Sequence, residues 1–514
     1  MRSRTGSISR TIAPAPGQRR RRGRLGASLL RWQARLDAEW ADRALPWLAA
    51  ALLFVVWTLV ALARVDRLEA GEALGRYLQG AWFLADGRAP DVTIGADENL
   101  LADRLPLAFL PIGAATRVIP ATAALLSAQA AALALGVVPL WRLARNVANL
   151  RVGAAAAVLV AYAVHPAVAD LDLADFQPAT LAVTPLLATA YFAERRRWGW
   201  FTIGCGLTVA CASEFGLVIA TLGVVLILDG QRVPGTRALV GGFAWSLAAV
   251  LVQQQLGQGG LVEPGAFDDY GEGALGVLIE MVRNPFMPLG DLFREANVAL
   301  LVWMLAPLLF LPLLVPRKLL PAVPLTCLYL IADVDSRGAT GGGRTVPLLC
   351  FSFVAATFAL ARVGRPSIHR VIVDRRILLA LMAAAGAFLL TQSALSPYQR
   401  PWAQGGDIED LALRAAADAV EDDEAVRTPP QVLPLLADRE EVEVLDNLPL
   451  RTTEATSGMD AVIVHVAELA RPEEVHGPSL RRAFANQGFA VRAAEADVIV
   501  FAPPAGGQAV PIEP

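Results

Sequence analysis

Residues 178–228 read PATLAVTPLLATAYFAERRRWGWFTIGCGLTVACASEFGLVIATLGVVLIL. Three apolar stretches are separated by two joints, one holding Arg195, Arg196 and Arg197 and the other holding Glu214 alone. Lys and Arg are retained on the cytoplasmic side of a bilayer, so the first joint faces inward and the second outward. The rule extends along the chain. The gaps holding Arg142, Arg145 and Arg151, then Arg317 and Lys318, then Arg362 to Arg376 are net positive, and the gaps between them are acidic or near neutral. The alternation predicts a polytopic membrane protein with its N-terminus inside and its C-terminus outside.

A spanning helix needs roughly 20 apolar residues, and about 17 suffice. By that measure, spans are expected near 45–64, 121–141, 152–168, 178–193, 199–213, 215–228, 238–252, 298–315, 319–332, 345–361 and 377–394. That makes about eleven crossings. Several are short, which implies tilt, local thinning or shielding by neighbours. Residues 105–119 are interrupted by Pro106, Pro111, Gly113 and Arg117. If they crossed, every later loop would carry the wrong charge, so they read as an interfacial or re-entrant helix on the outer face.

Composition agrees. Of 514 residues 55% are hydrophobic and 18% charged, against about a quarter charged in an average soluble domain. The net charge of −3 conceals an asymmetry: residues 1–44 carry +8 and residues 395–514 carry −12. The basic arm 1–44 fits anionic inner-leaflet lipid and an anchor that follows it directly, rather than nucleic acid. The multi-span region covers 45–394, with external segments at 65–119 and 253–297. Residues 395–514 form an expected extracytoplasmic α/β domain. Its helices are expected over Asp407 to Val420 and Ser479 to Gln487, and its strands at Val442 to Leu445, Ala461 to Val466 and Val498 to Phe501. The tail beyond Pro503 reads as frayed. Cys205, Cys211, Cys327 and Cys350 fall inside expected spans and have no disulfide or metal spacing. No phosphate loop, nucleophile elbow or dinucleotide fingerprint is present, and the Gly338–Gly343 run lacks a phosphate loop's ending.

Several phrases occur in a characteristic order. They are Gly75 to Trp82 (GRYLQGAW), Ala174 to Ala179 (ADFQPA) before Leu181-Ala182-Val183, Ser213-Glu214-Phe215, Tyr270 with Leu275-Gly276, Asn284-Pro285, and Leu305 to Leu314 with Pro316. Together they resemble the bacterial membrane family called domain of unknown function 2079, over about residues 65–500. The resemblance implies kinship with C-type (GT-C) glycosyltransferases, multi-span enzymes that use polyprenyl-phosphate sugars. An all-α bundle with an outward cavity in a bacterial plasma membrane is what it implies, acting in cell-envelope glycan or lipid-linked sugar metabolism. Five departures stand out: Ala73 replaces an Asp, Arg104 a His, Gln177 and Ala179 the His and Glu of a D-F-H-P-E motif, Ser213 and Phe215 the Lys and Asp flanking Glu214, and Gly341 to Arg344 the region of a His-Tyr pair. Sugar transfer needs a base for a weak hydroxyl nucleophile. The losses leave two alternatives: an active glycosyltransferase whose donor is a polyprenyl-phosphate sugar, or a catalytically degenerate paralogue that works as a scaffold or as the partner of an active paralogue.

Glu214 sits between two spans with almost no loop, where an acid lines a cavity or reaches water from a turn. Glu72, one residue from the lost Asp, and Asp66, at the membrane exit, are the other candidate acids, with a solvated helix face as the alternative. Asp170, Asp172 and Asp175 could together hold a divalent cation through oxygen ligands; the alternative is a solvated loop with a helix N-cap. Asp175, Gln177, Arg104, Arg117 and Arg344 are candidate substrate-binding residues. Arg117 and Arg344 suit phosphate oxygens, or else snorkel to headgroups. Transport of a lipid-linked solute is the rival function. No repeat is visible, however, and the acids cluster at outer span ends rather than at the midplane.

Overall fold

A computed structural model describes residues 39–95, 98–257, 267, 270, 280, 283–284, 286–332, 343–366, 370–393, 395–396, 408–445, 452–469 and 477–504. The basic arm before residue 39, most of 258–279, Pro285, Gly338 to Gly342 and the tail beyond 504 lie outside the described residues.

Helices α1 (Glu39–Val65), α2 (Glu72–Ala85), α3 (Phe109–Ala115), α4 (Ala121–Leu135), α5 (Val137–Asn146), α6 (Val152–Ala163), α7 (Pro166–Leu173), α8 (Val183–Glu194), α9 (Trp198–Val209), α10 (Phe215–Leu228) and α11 (Arg232–Leu256) follow in order. Then come α12 (Glu295–Leu305), α13 (Val323–Ile331), α14 (Val346–Val363) and α15 (Arg375–Gln392). A helix or a pair of helices thus stands in each segment expected to span. Among the described residues five helices qualify as membrane spans by length and apolarity alone, six if the bent pair α6–α7 counts as one. That pair bends by 42° at His165-Pro166. Proline cannot continue a helix inward from its first turn, and the His165 ring accepts the Ala167 amide at 3.2 Å to start the new one. The expected span 298–315 is helical only to Leu305 and continues as 3-10 turns. Pro307, Pro312 and Pro316 remove the amide donors that a longer helix needs.

Glycine sets the closest packing. A Cβ on Gly223 would stand 2.4 Å from the Leu239 nitrogen, and one on Gly242 would stand 2.3 Å from the Gly216 carbonyl. Small residues let α10 and α11 approach backbone to backbone, the usual means of helix association in lipid. At the Arg-rich end, Arg145 is buried and grips Asp42 with both Nε (2.6 Å) and Nη2 (2.9 Å), which ties α5 to the start of α1.

Towards the C-terminus, α16 (Ile408–Asp418) and α17 (Gly477–Ala485) flank a five-stranded sheet. Its strands are β5 (Val426–Thr428), β6 (Val442–Val444), β7 (Ala461–His465), β8 (Ala490–Glu495) and β9 (Val498–Ala502), preceded in the chain by the two-residue pairs β1–β2 (91–92, 98–99) and β3–β4 (365–366, 371–372). The order is β6-β5-β7-β9-β8, parallel around β5 and antiparallel around β9. Central strands β7 and β9 are buried throughout, as their unbroken apolar runs require. The α/β unit is docked on α2. Leu68 and Ile94 join its core, and a Cβ on Gly75 would stand 2.9 Å from that of Leu433.

Candidate functional site

Helix α2 has two working faces. Leu74, Gly75, Leu78 and Gln79 are buried, and Gly75 and Gln79 meet the α/β unit. The buried Gln79 amide donates to Thr93 Oγ1 (2.9 Å) and to the Arg439 and Glu440 carbonyls (both 3.2 Å), and its oxygen accepts the Thr93 amide (3.0 Å). Glu72, Ala73, Arg76 and Tyr77 lie on the opposite side and line a cavity of about 560 Å³. Asp103, Arg104, Asp175, Gln177, Cys211, Ala212 and Arg344 complete most of its wall.

Opposite charges alternate along one wall. Arg76 Nη1 lies 3.6 Å from Asp103, Asp103 lies 3.8 Å from Arg104 Nε, and Arg104 Nη1 lies 3.5 Å from Glu214 Oε1. Glu214 Oε1 also accepts the Tyr329 hydroxyl at 3.0 Å, and the Arg344 guanidinium stands 5.9 Å from the Tyr329 ring centre. Glu214 is 1% exposed, in the turn between α9 and α10. Burial pushes its carboxyl up, and Arg104 opposes that rise. Burial also raises the Tyr77 hydroxyl well above its ordinary value, reinforced by Asp103.

Arg104 and Leu105 both have left-handed backbones, φ 58° and 46°. Such a conformation costs roughly 1–3 kcal/mol in a residue other than glycine. It is held because Arg104 O accepts the Ser213 amide at 2.8 Å and the Ala108 amide donates to Ala210 O at 2.7 Å. The loop that places Arg104 is thereby fastened to the turn that places Glu214. On the far side, Gln177 Oε1 accepts the Gly343 amide at 2.6 Å and holds the segment carrying Arg344. Buried Gln129 fixes Gln177 in turn, accepting its backbone amide at 2.9 Å and donating to Leu171 O at 3.0 Å.

Glu72, Asp175, Gln177, Arg104 and Arg344 therefore meet at one cavity, with Glu214 directly behind Arg104. Two candidates stand elsewhere. Asp66 is exposed, and its carbonyl accepts from Arg414 of the α/β unit at 2.6 Å. Arg117 is exposed in the turn after α3. The three aspartates face different partners. Asp170 accepts from Ser393 at 2.7 Å, Asp172 is buried in α7, and Asp175 faces Arg64 at 2.8 Å. Among the described residues no group of three or more His, Cys, Asp or Glu could hold a metal. Arg76, Tyr77, Tyr329 and Arg64 escaped the sequence reading. Arg76 had a signal, since it follows Glu72 by four residues and shares its helix face. Tyr329, from a distant helix, had none.

The fold has a solved counterpart. The crystal structure of ArnT from Cupriavidus metallidurans bound to undecaprenyl phosphate superposes with a TM-score of 0.50 at 14% identity, over 89% of this chain and 98% of that one. The chain is a membrane protein with a GT-C-like fold. A comparison with curated proteins found no match. The family model described as a predicted membrane protein, DUF2079, matches residues 64–500, and the chain belongs to that family.

Proposed function

We propose that the protein works on lipid-linked sugars of the bacterial cell envelope, and that the cavity beside α2 receives the phosphate and sugar of a polyprenyl-phosphate carrier. The observation that carries this reading is the convergence of Arg76, Arg104, Arg344 and Gln177 with Glu72 and Asp103 around about 560 Å³. Guanidinium groups match phosphate oxygens, and the volume suits a small-molecule site. The ArnT structure of the same fold is bound to undecaprenyl phosphate, which supports the ligand class. The alternation of Arg-rich gaps supports an orientation with the N-terminus in the cytoplasm and the cavity and α/β unit outside.

Glu72 is the cavity carboxylate best placed for chemistry. It lines the cavity and makes no ion pair among the described residues. As general base it would take the proton of an acceptor hydroxyl while that oxygen attacks the sugar's anomeric carbon. The bond from that carbon to the carrier phosphate breaks, and Arg104 and Arg344 meet the charge left on the phosphate. Glu214, sealed behind Arg104, positions that guanidinium rather than touching substrate. The test is full-length protein in lipid nanodiscs with a polyprenyl-phosphate sugar and candidate acceptors. Glu72→Gln is expected to slow transfer by about 100-fold or more, and unchanged transfer would reject its role.

A second reading has its own support. Asp103, Asp175 and Glu214 are all committed to arginines, which leaves little free acid for catalysis. A carrier-binding scaffold or partner of an active paralogue would bind the polyprenyl phosphate, lose that binding on Arg104→Gln, and show no transfer with any acceptor.

A further inference from the structure

A second cavity, of about 610 Å³, lies between α9 and α11 with Ile219 of α10 at its back. Its lining is apolar except at one end, where Thr202 and Arg237 stand with Trp198. Gly206 and Gly241 form an open floor: a Cβ on either would meet nothing within 4 Å. The flanks are lipid-facing, since Ile203, Leu207, Val240 and Phe243 are all more than half exposed. We propose that this groove binds one anionic phospholipid, with an acyl chain along the glycine floor and the phosphate at Arg237.

Three observations fix the occupant. The polar end adjoins Arg195, Arg196 and Arg197, which immediately precede Trp198, so it sits at the most basic edge of this helix group. Trp198 and Trp200 begin the same helix, and tryptophans at that position mark the headgroup level. Arg237 is exposed and makes no ion pair among the described residues; an arginine about a turn inside a span reaches back to the headgroups and pairs with phosphate. The other end, at Val209, runs into Cys211 and Ala212 of the first cavity's wall. The lipid therefore packs against the helix that supports that wall.

The test uses the full chain in nanodiscs of mixed phosphatidylglycerol and phosphatidylcholine, with native mass spectrometry of the lipid retained on extraction. Wild-type protein should retain one phosphatidylglycerol in preference to phosphatidylcholine. Arg237→Gln should cut that preference about fivefold, the effect of one basic residue near an anionic surface. Gly241→Leu, whose Cβ meets nothing within 4 Å, should fill the floor and abolish retention while thermal unfolding stays unchanged. A ratio of the two lipids that Arg237→Gln does not move, or retention in Gly241→Leu equal to wild type, overturns the proposal.

Discussion

The Arg64 guanidinium stands 2.8 Å from Asp175 Oδ1, and the other oxygen of the same carboxylate accepts the Gly71 amide at 3.1 Å. Asp175 thus caps α2 from a distance of 104 residues in sequence and ties it to the end of α1. The acid was expected to bind substrate, cap its own following helix or hold a cation. It lines the cavity and also lies at the N-terminus of the helix carrying Glu72 and Arg76, where the helix dipole favours a negative charge.

Asp175→Asn should keep a weak acceptor for Gly71 while losing the charge facing Arg64. The expected loss is about 1 kcal/mol, and about 2 kcal/mol for Asp175→Ala, in the range of a lost helix cap. Thermal unfolding in detergent reads this directly. A variant as stable as wild type would show that the cap contributes nothing.

Gln79→Leu should separate α2 from the α/β unit. The side chain is buried, and its removal leaves the Thr93 amide and the Arg439 and Glu440 carbonyls short of a partner, each costing about 1–3 kcal/mol if no water replaces it. Hydrogen exchange of the full-length protein should rise at 91–95 and 440–444 and stay unchanged in α10 and α11. Uniform change across the chain would instead indicate general destabilisation.

Glu214 gives the cavity a pH dependence. Burial raises its carboxyl above the ordinary value. A raised acid holds its proton more tightly folded than unfolded, so its contribution to stability is complete below the unfolded value of about 4.3 and is lost as pH rises through the folded one. Protonation also releases Arg104 from its nearest countercharge on that side. Affinity of the wild-type protein for a polyprenyl phosphate should therefore fall with rising pH more steeply than that of Glu214→Gln, which keeps the Tyr329 hydrogen bond without the titration. Parallel binding curves for the two proteins would remove Glu214 from control of Arg104.

The helical segments were legible because charge alternation and span length act locally, residue by residue. The α/β unit was partly legible: β7 and β9 are continuous apolar runs, whereas β5 (VRT) and edge strand β8 (AVRAAE) carry too few apolar residues to register. Six of eight candidate residues lie at or directly behind one cavity, because acids and arginines at the ends of neighbouring helices are brought together wherever those ends meet. Asp66 and Arg117 carry the same local signal, and only tertiary packing turns them elsewhere. No spacing rule could have paired Glu214 with Tyr329, or Gln79 with residues 439 and 440.

Gly343 marks how closely the cavity's far wall is built. A Cβ there would stand 2.1 Å from the Cβ of Ala179, with backbone close behind, so Gly343→Ala must push apart the two segments that present Arg344 and Gln177. Overpacking of this kind costs about 1–3 kcal/mol. It should also stretch the bond from the Gly343 amide to Gln177, so carrier binding should weaken more than stability does. Ala179→Gly removes the clashing atom. The double variant should then recover most of the binding, less up to about 1 kcal/mol of stability for a glycine placed in the 3-10 turn 178–182. Binding and unfolding measured on the two single variants and the double form a closed cycle. A double variant as impaired as Gly343→Ala alone would mean that the harm comes from the backbone of residue 343 and not from its contact with Ala179.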